Sequence, residues 1–347
     1  MTSLPLESNS HELPLSLERQ RQFEEIRTEI SRRLVLREVS SSALEGSGCT
    51  CHAWDAIALP TESHYVPVFL SIIEQQEHVG SISPDTHILV ETTTGNAGAA
   101  VAWLARKLGY EVIIFMPEDM PDARIEDVRK HLPETGCAEL RLTPAKRYVE
   151  GMVEVFRQFL ARHKKGYQGK KLAILNHSRR SESVEAIEDV ISALLARNDS
   201  FTPFDTAIVA LGNGTTASGI ARALRKANSE TRIIGVEPME APWIFVQKFG
   251  EAEFLERYGP IREDHNHQLL GSGGWGVKFP NFDLALIDDI IPLQQDAWQT
   301  KQRQLQGDGL AVGNTSAACL AVVDLLAKTS TAGTHFFTVM YDPITKY

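Results

Sequence analysis

Residues 87–117 read HILVETTTGNAGAAVAWLARKLGYEVIIFMP. HILVE is a short apolar strand, and AAVAWLARKLG is a helix closed by Gly109. EVIIFMP is a second apolar strand, stopped by Pro117. Short apolar strands separated by a helix are buried on both faces and pair in parallel. The same grammar continues outward. PDARIEDVRKHL starts a helix at Pro121, AELRL is a strand, and residues 148–162 are helical. KLAILN, TAIVAL, TRIIGVEP and THFFTVMYD are further strands, separated by helices at ESVEAIEDVISALLAR, TTASGIARALRKA and TSAACLAVVDLLAK. LALIDDIIPL leads into another helix near Gln295. Residues 16–35 space Phe23, Ile26, Ile30 and Leu34 as a helix does. The class is α/β, with parallel twisted sheets flanked by helices.

A chain of 347 residues is long enough for two lobes. The basic, polar stretch RHKKGYQGKK at 162–171 suits a lobe crossing. The expected division is an N-terminal segment 1–48 packing on the large lobe, a small lobe 49–164 and a large lobe 165–347.

The net charge of −10 and the lack of a long basic run argue against nucleic acid or an anionic membrane as partner. No apolar run reaches membrane-spanning length, and residues 1–20 do not resemble a signal peptide, so the expected location is cytoplasmic. Of four cysteines, Cys137 and Cys319 read as small core residues. Cys49 and Cys51 beside His52 make too small a set for a metal site, and no metal is expected.

Ligands of open parallel sheets sit where strands end and helices begin. Three such junctions have unusual composition. ETTTGNAG at 91–98 offers hydroxyls, an amide and the N–H groups of a helix start, which suit a carboxylate or phosphate. A plain helix cap needs one such residue, not five. ALGNGTTASG at 210–219 has the composition of a phosphate cradle, although it is neither a P-loop nor GxGxxG. One glycine would satisfy a tight strand–helix turn there. GLAVGNTSAACLAV at 309–322 places Thr315 and Ser316 before an apolar helix, where Thr315 reads equally well as a cap.

As an ordered set, from about residue 59 onward, these segments resemble the fold-type II pyridoxal 5′-phosphate (PLP) enzymes, the cysteine synthase and cystathionine β-synthase group. HQLLGSGGWGVKFP at 267–280 is similar to that group's later glycine loop. The resemblance implies a two-lobe fold and roles by position. Gly212, Asn213, Gly214, Thr215 and Thr216 would hold the cofactor phosphate. Asn96 would bond the ring's 3′-oxygen, and Thr315 would face the pyridine nitrogen. Thr93, Thr94, Gly95 and Asn96 would embrace an amino-acid carboxylate, with Ala97 where a threonine is usual. His177 stands where the family has a glutamine near the substrate. A neutral hydroxyl at the ring nitrogen favours β-elimination and β-replacement on a serine- or cysteine-like amino acid. A homodimer is also implied.

The departure is at Tyr65. The family's lysine lies in a turn of the type Asn-Pro-Thr-Gly-Ser-x-Lys-Asp-Arg, and LPTESHYVP registers Tyr65 onto that lysine. No lysine precedes Lys107, so no shift of register restores one. An amine from elsewhere, such as Lys278 or Lys346, needs a different geometry. A phenol forms no Schiff base, and the lysine's second task, moving a proton, falls to Tyr65, His64 or His177, with His177 better placed. PLP, if bound, is expected to be held without a covalent link. The alternatives are an unorthodox enzyme, a catalytically lapsed relative acting as a small-molecule-binding or accessory subunit, and a pocket reassigned to another anion. In the simplest view Tyr65 is an aromatic plug.

Overall fold

The computed structural model describes residues 15–145, 148–197, 202–273 and 277–347. Part of the 267–280 loop and the first 14 residues lie outside the described residues.

Two sheets organise the chain. The smaller has the order β5-β4-β3-β6 and is wholly parallel, with β3 His87–Thr92, β4 Glu111–Pro117, β5 Ala138–Thr143 and β6 Lys171–Ile174. The larger has the order β1-β2-β10-β7-β8-β9, with β1 Leu36–Glu38, β2 Thr50–Asp55, β7 Thr206–Ala210, β8 Arg232–Pro238, β9 Asp289–Leu293 and β10 His335–Met340. Its strands are parallel except for the edge pair β1/β2. Sheet membership does not follow chain order. β2 belongs to the large sheet, paired with β10, and β6 belongs to the small one, paired with β3.

The apolar runs behave as strands buried on both faces do. Leu89, Val112, Ile114 and Met116 enter the main core. Ile88, Val90, Ile113 and Phe115 point the other way, into a second cluster with Met152 and Phe159 of helix α6, Tyr148–Arg162. This alternation is the two-residue period of the pleat. Among the described residues no helix is long and apolar enough to cross a membrane.

Helices α7 (Ser181–Ala196) and α8 (Thr215–Ala227) pack closely at Gly219. A Cβ there would lie 2.6 Å from Ile187 Cβ and 2.7 Å from the Val184 carbonyl oxygen, closer than packed atoms approach. Gly219→Ala is therefore expected to destabilise by about 1–3 kcal/mol, despite alanine's better helix propensity, because one methyl overpacks the contact. A urea midpoint unchanged or raised in that variant would show that α8 can shift freely.

Candidate functional site

The C-terminal ends of β2, β3, β7 and β10 converge, and the residues singled out in the sequence gather there. Helix α3, Tyr65–His78, begins at this junction. The turn before it is unusual: Thr61 and Glu62 adopt φ of 61° and 48° without being glycine. Positive φ at a β-branched residue is strained by about 1–3 kcal/mol. Glu62 occupies the position where the resembled motif has glycine.

Tyr65 packs edge-on against His177, with ring centroids 5.3 Å apart, and near Phe69. Burial pushes its phenol up to about 12, so it is a neutral hydroxyl at ordinary pH. His64 is buried against Trp54 and Tyr341 and stacks on Tyr65. Burial, together with neighbouring His177, pushes its imidazole down to about 3, and it stays uncharged. His177 follows β6 and is buried beside Glu91 at the end of β3. Its Nδ1 lies 3.6 Å from Glu91 Oε2, and neither atom has a hydrogen-bond partner in the protein. Sequence reading passed over Glu91, since a single carboxylate next to a threonine run has no distinguishing pattern. Beyond His177, Asn213 Nδ2 donates to Ser178 Oγ at 3.0 Å, linking this cluster to the 212–216 loop.

That loop opens α8. Gly214, with φ of 80°, is the residue before the first turn, and Thr215 N–H donates to Asn213 Oδ1 at 3.0 Å. Thr215 Oγ1 is buried with no partner, at the positive end of a helix of 13 residues. This end suits a phosphate. The two glycines, however, also serve packing: a Cβ on Gly212 would meet the Gly271 carbonyl oxygen at 2.2 Å, and one on Gly214 would meet Phe282 at 2.0 Å.

The threonine loop is partly committed to its own helix, α4, Asn96–Leu108. Thr93 Oγ1 accepts from the N–H groups of Gly95 and Gly98 at 2.9 and 3.0 Å, a capping role. The Thr94 carbonyl accepts from Arg124 of helix α5, Asp122–His131. Asn96 Nδ2 donates to Asp342 at 2.8 Å, and its Oδ1 accepts from Lys346 Nζ at 3.2 Å. Thr315 lies in the first turn of helix α12, Asn314–Ala327, whose start Tyr347 packs against at Gly313.

Lys346 is the unexpected member. The sequence offered no amine near residue 65, yet this one is buried on the turn that leads to it. Its Nζ donates to the Thr61 carbonyl at 2.6 Å and to Asp127 Oδ2 at 2.8 Å. Burial works against the Asp127 carboxylate, but Lys346 and Lys130 together prevail and hold its pKa below the ordinary value.

Cys49 and Cys51 are buried free thiols, and burial pushes Cys51 up. His52 pairs instead with His335, at 2.8 Å. Among the described residues no group of three or more His, Cys, Asp or Glu could hold a metal ion.

Comparison with known proteins decides the ancestry. The family described as pyridoxal-phosphate dependent enzyme matches residues 48–340. The chain belongs to that family. It is 28% identical to cysteine synthase B of Campylobacter jejuni over 250 residues, 71% of this chain and 73% of that one. It is also 28% identical to cysteine synthase A of Escherichia coli K12 over 254 residues, 72% of each. Among solved structures, a hydrogen sulfide-producing enzyme from Fusobacterium nucleatum superposes with a TM-score of 0.77 at 22% identity, covering 93% of this chain and 98% of that one. O-ureido-L-serine synthase gives 0.76 at 20% identity, covering 93% and 92%. These likenesses establish the expected α/β fold.

The family implies PLP, and the site fits it at one end. Thr215 Oγ1 and the α8 N-terminus suit the phosphate. The ring end does not fit as it stands, because Asn96 is bonded to Asp342 and Lys346, and Tyr347 lies on the start of α12.

Proposed function

We propose that this chain is a catalytically lapsed member of the PLP family, a small-molecule-binding protein that holds PLP or a similar anionic aromatic without a covalent link. The observation that carries the reading is at the anchoring position. Tyr65 supplies a neutral phenol, and the amine in the cleft, Lys346, donates to three acceptors, one of them the Asp127 carboxylate. An amine so held has no free lone pair with which to attack an aldehyde. What persists is the anion-binding end at Gly212–Thr216.

Titration of the purified chain with PLP is expected to give a spectral change that dialysis reverses, and borohydride is expected to fix no cofactor to the protein. Turnover of O-acetylserine or serine with sulfide is expected to be absent. Steady turnover would overturn the reading.

One observation favours a second reading, in which an unorthodox β-replacement or elimination survives. Glu91, His177 and Tyr65 form a buried carboxylate–imidazole–phenol cluster with unpaired Glu91 Oε2 and His177 Nδ1. Such a cluster can hold and move a proton. Turnover abolished by both Tyr65→Phe and His177→Asn would establish it. An amino-acid ligand and a homodimer remain proposals that follow from family membership alone.

A further inference from the structure

After β10 the chain passes through Asp342 and Pro343 into a short 3-10 turn, Ile344–Lys346. Backbone bonds tie this stretch down. Ile344 N–H donates to the Ala311 carbonyl at 3.1 Å, and Gly313 N–H donates to the Asp342 carbonyl at 2.8 Å. Lys346 then reaches the Thr61 turn, and Tyr347 lies against Arg124 and Gly313. Lys346 is 2% exposed. The Tyr347 phenol donates to Asp342 Oδ2 at 3.1 Å. Its ring lies 4.4 Å from the Arg124 guanidinium carbon. A Cβ on Gly313 would sit 2.6 Å from the ring edge, so the ring lies directly on the start of α12.

We propose that residues 342–347 are an internal occupant of the ring end of the cleft, which a planar aromatic ligand anchored at Gly212–Thr216 must displace. The inference rests on the reading that the cleft binds such a ligand. The Asn96 carboxamide accepts from Lys346 at its oxygen and donates one N–H to Asp342. The Lys346 ammonium has three N–H donors and three acceptors. Asp342 accepts from Asn96, Arg124 and Tyr347. To bond Asn96 through the N–H and the oxygen now given to Asp342 and Lys346, a second ring must displace both. A ligand therefore binds only the fraction of molecules in which the segment has moved, and its apparent affinity falls by that fraction.

The test uses the full chain and PLP itself. Binding is measured by equilibrium dialysis for the parent, Tyr347→Ala and Asp127→Asn. The second variant loosens Lys346 without removing bulk, while Lys130 and His131 still face residue 127. Both variants are expected to bind about tenfold or more tightly than the parent. In the parent, PLP is expected to speed hydrogen exchange of the amides at 344–347. Equal affinity in all three proteins, with exchange at 344–347 unmoved by PLP, overturns the internal-occupant proposal and leaves the cofactor reading standing. Uptake by none of the three overturns the cofactor reading, and this proposal with it. A borohydride-stable adduct mapped to Lys346 overturns the proposal in another way, by showing that the amine anchors the cofactor rather than competing with it.

Discussion

Asp342→Ala is expected to lower the unfolding free energy by about 3–5 kcal/mol, the cost of leaving a buried charge without its partner. Arg124 and Asp342 are both almost wholly buried, with Arg124 Nη2 3.0 Å from Asp342 Oδ2. The pair links elements of the two sheets. Arg124 stands on α5 beside the small sheet, whereas Asp342 follows β10 of the large one. Asn96 and Tyr347 also donate to this carboxylate, so the substitution strands three donors at once. A urea titration checks the magnitude. Tyr347→Phe, which removes one neutral hydroxyl, is expected to cost only about 0.5–1.5 kcal/mol. Combining Asp342→Ala with Arg124→Leu should cost less than the sum of the two single changes, because the second removes the charge that the first orphans. Strict additivity, or a loss under about 1 kcal/mol for Asp342→Ala, would mean that water relaxes the network and that the two lobes are not fastened here.

The elements that sequence pattern revealed are those whose physics is local. β3 and β4 are apolar on both faces, and only burial between helices accommodates that. Gly109 adopts φ of 74° after α4, as its position predicted. The pattern did not reveal β2. CTCHAWD interleaves buried Cys51, Ala53 and Trp54 with half-exposed His52, and its partner β10 lies almost 300 residues away. The site shows the same division. Each loop was visible through its density of hydroxyls and glycines, but what the groups bond to was not. Thr93 caps its helix, and the glycines of the 212–216 loop face Gly271 and Phe282. The reach of Lys346 to Thr61 joins the two ends of the fold, and no local propensity encodes such a closure. That Tyr65 forms no Schiff base was legible in its phenol, whereas its packing against His177 was not.

A second large effect is expected at Glu237, at the end of β8, where two opposing forces act on one carboxyl. It is fully buried, and it accepts from the N–H groups of Ile244 and Phe245 at 3.0 and 2.7 Å at the start of helix α9, Trp243–Phe249. Burial raises its pKa and the two N–H donors lower it; burial wins, and the group is pushed up to about 8. The unfolded chain therefore ionises this group near its ordinary value while the folded chain keeps the proton. Its contribution to stability is complete below about pH 4.5, and declines by up to about 1.4 kcal/mol per pH unit as pH rises to about 8. Above that both states are ionised and the loss is constant. Glu237→Gln is neutral throughout, so the stability of the variant relative to the parent should rise between pH 5 and 8 and then level off. The slope is the readout, because glutamine changes one of the two N–H contacts at every pH alike. A difference that is flat from pH 5 to 8 and falls with rising pH only below that range would mean that the α9 N-terminus holds an ionised carboxylate, and that hydrogen bonding outweighs burial at this site.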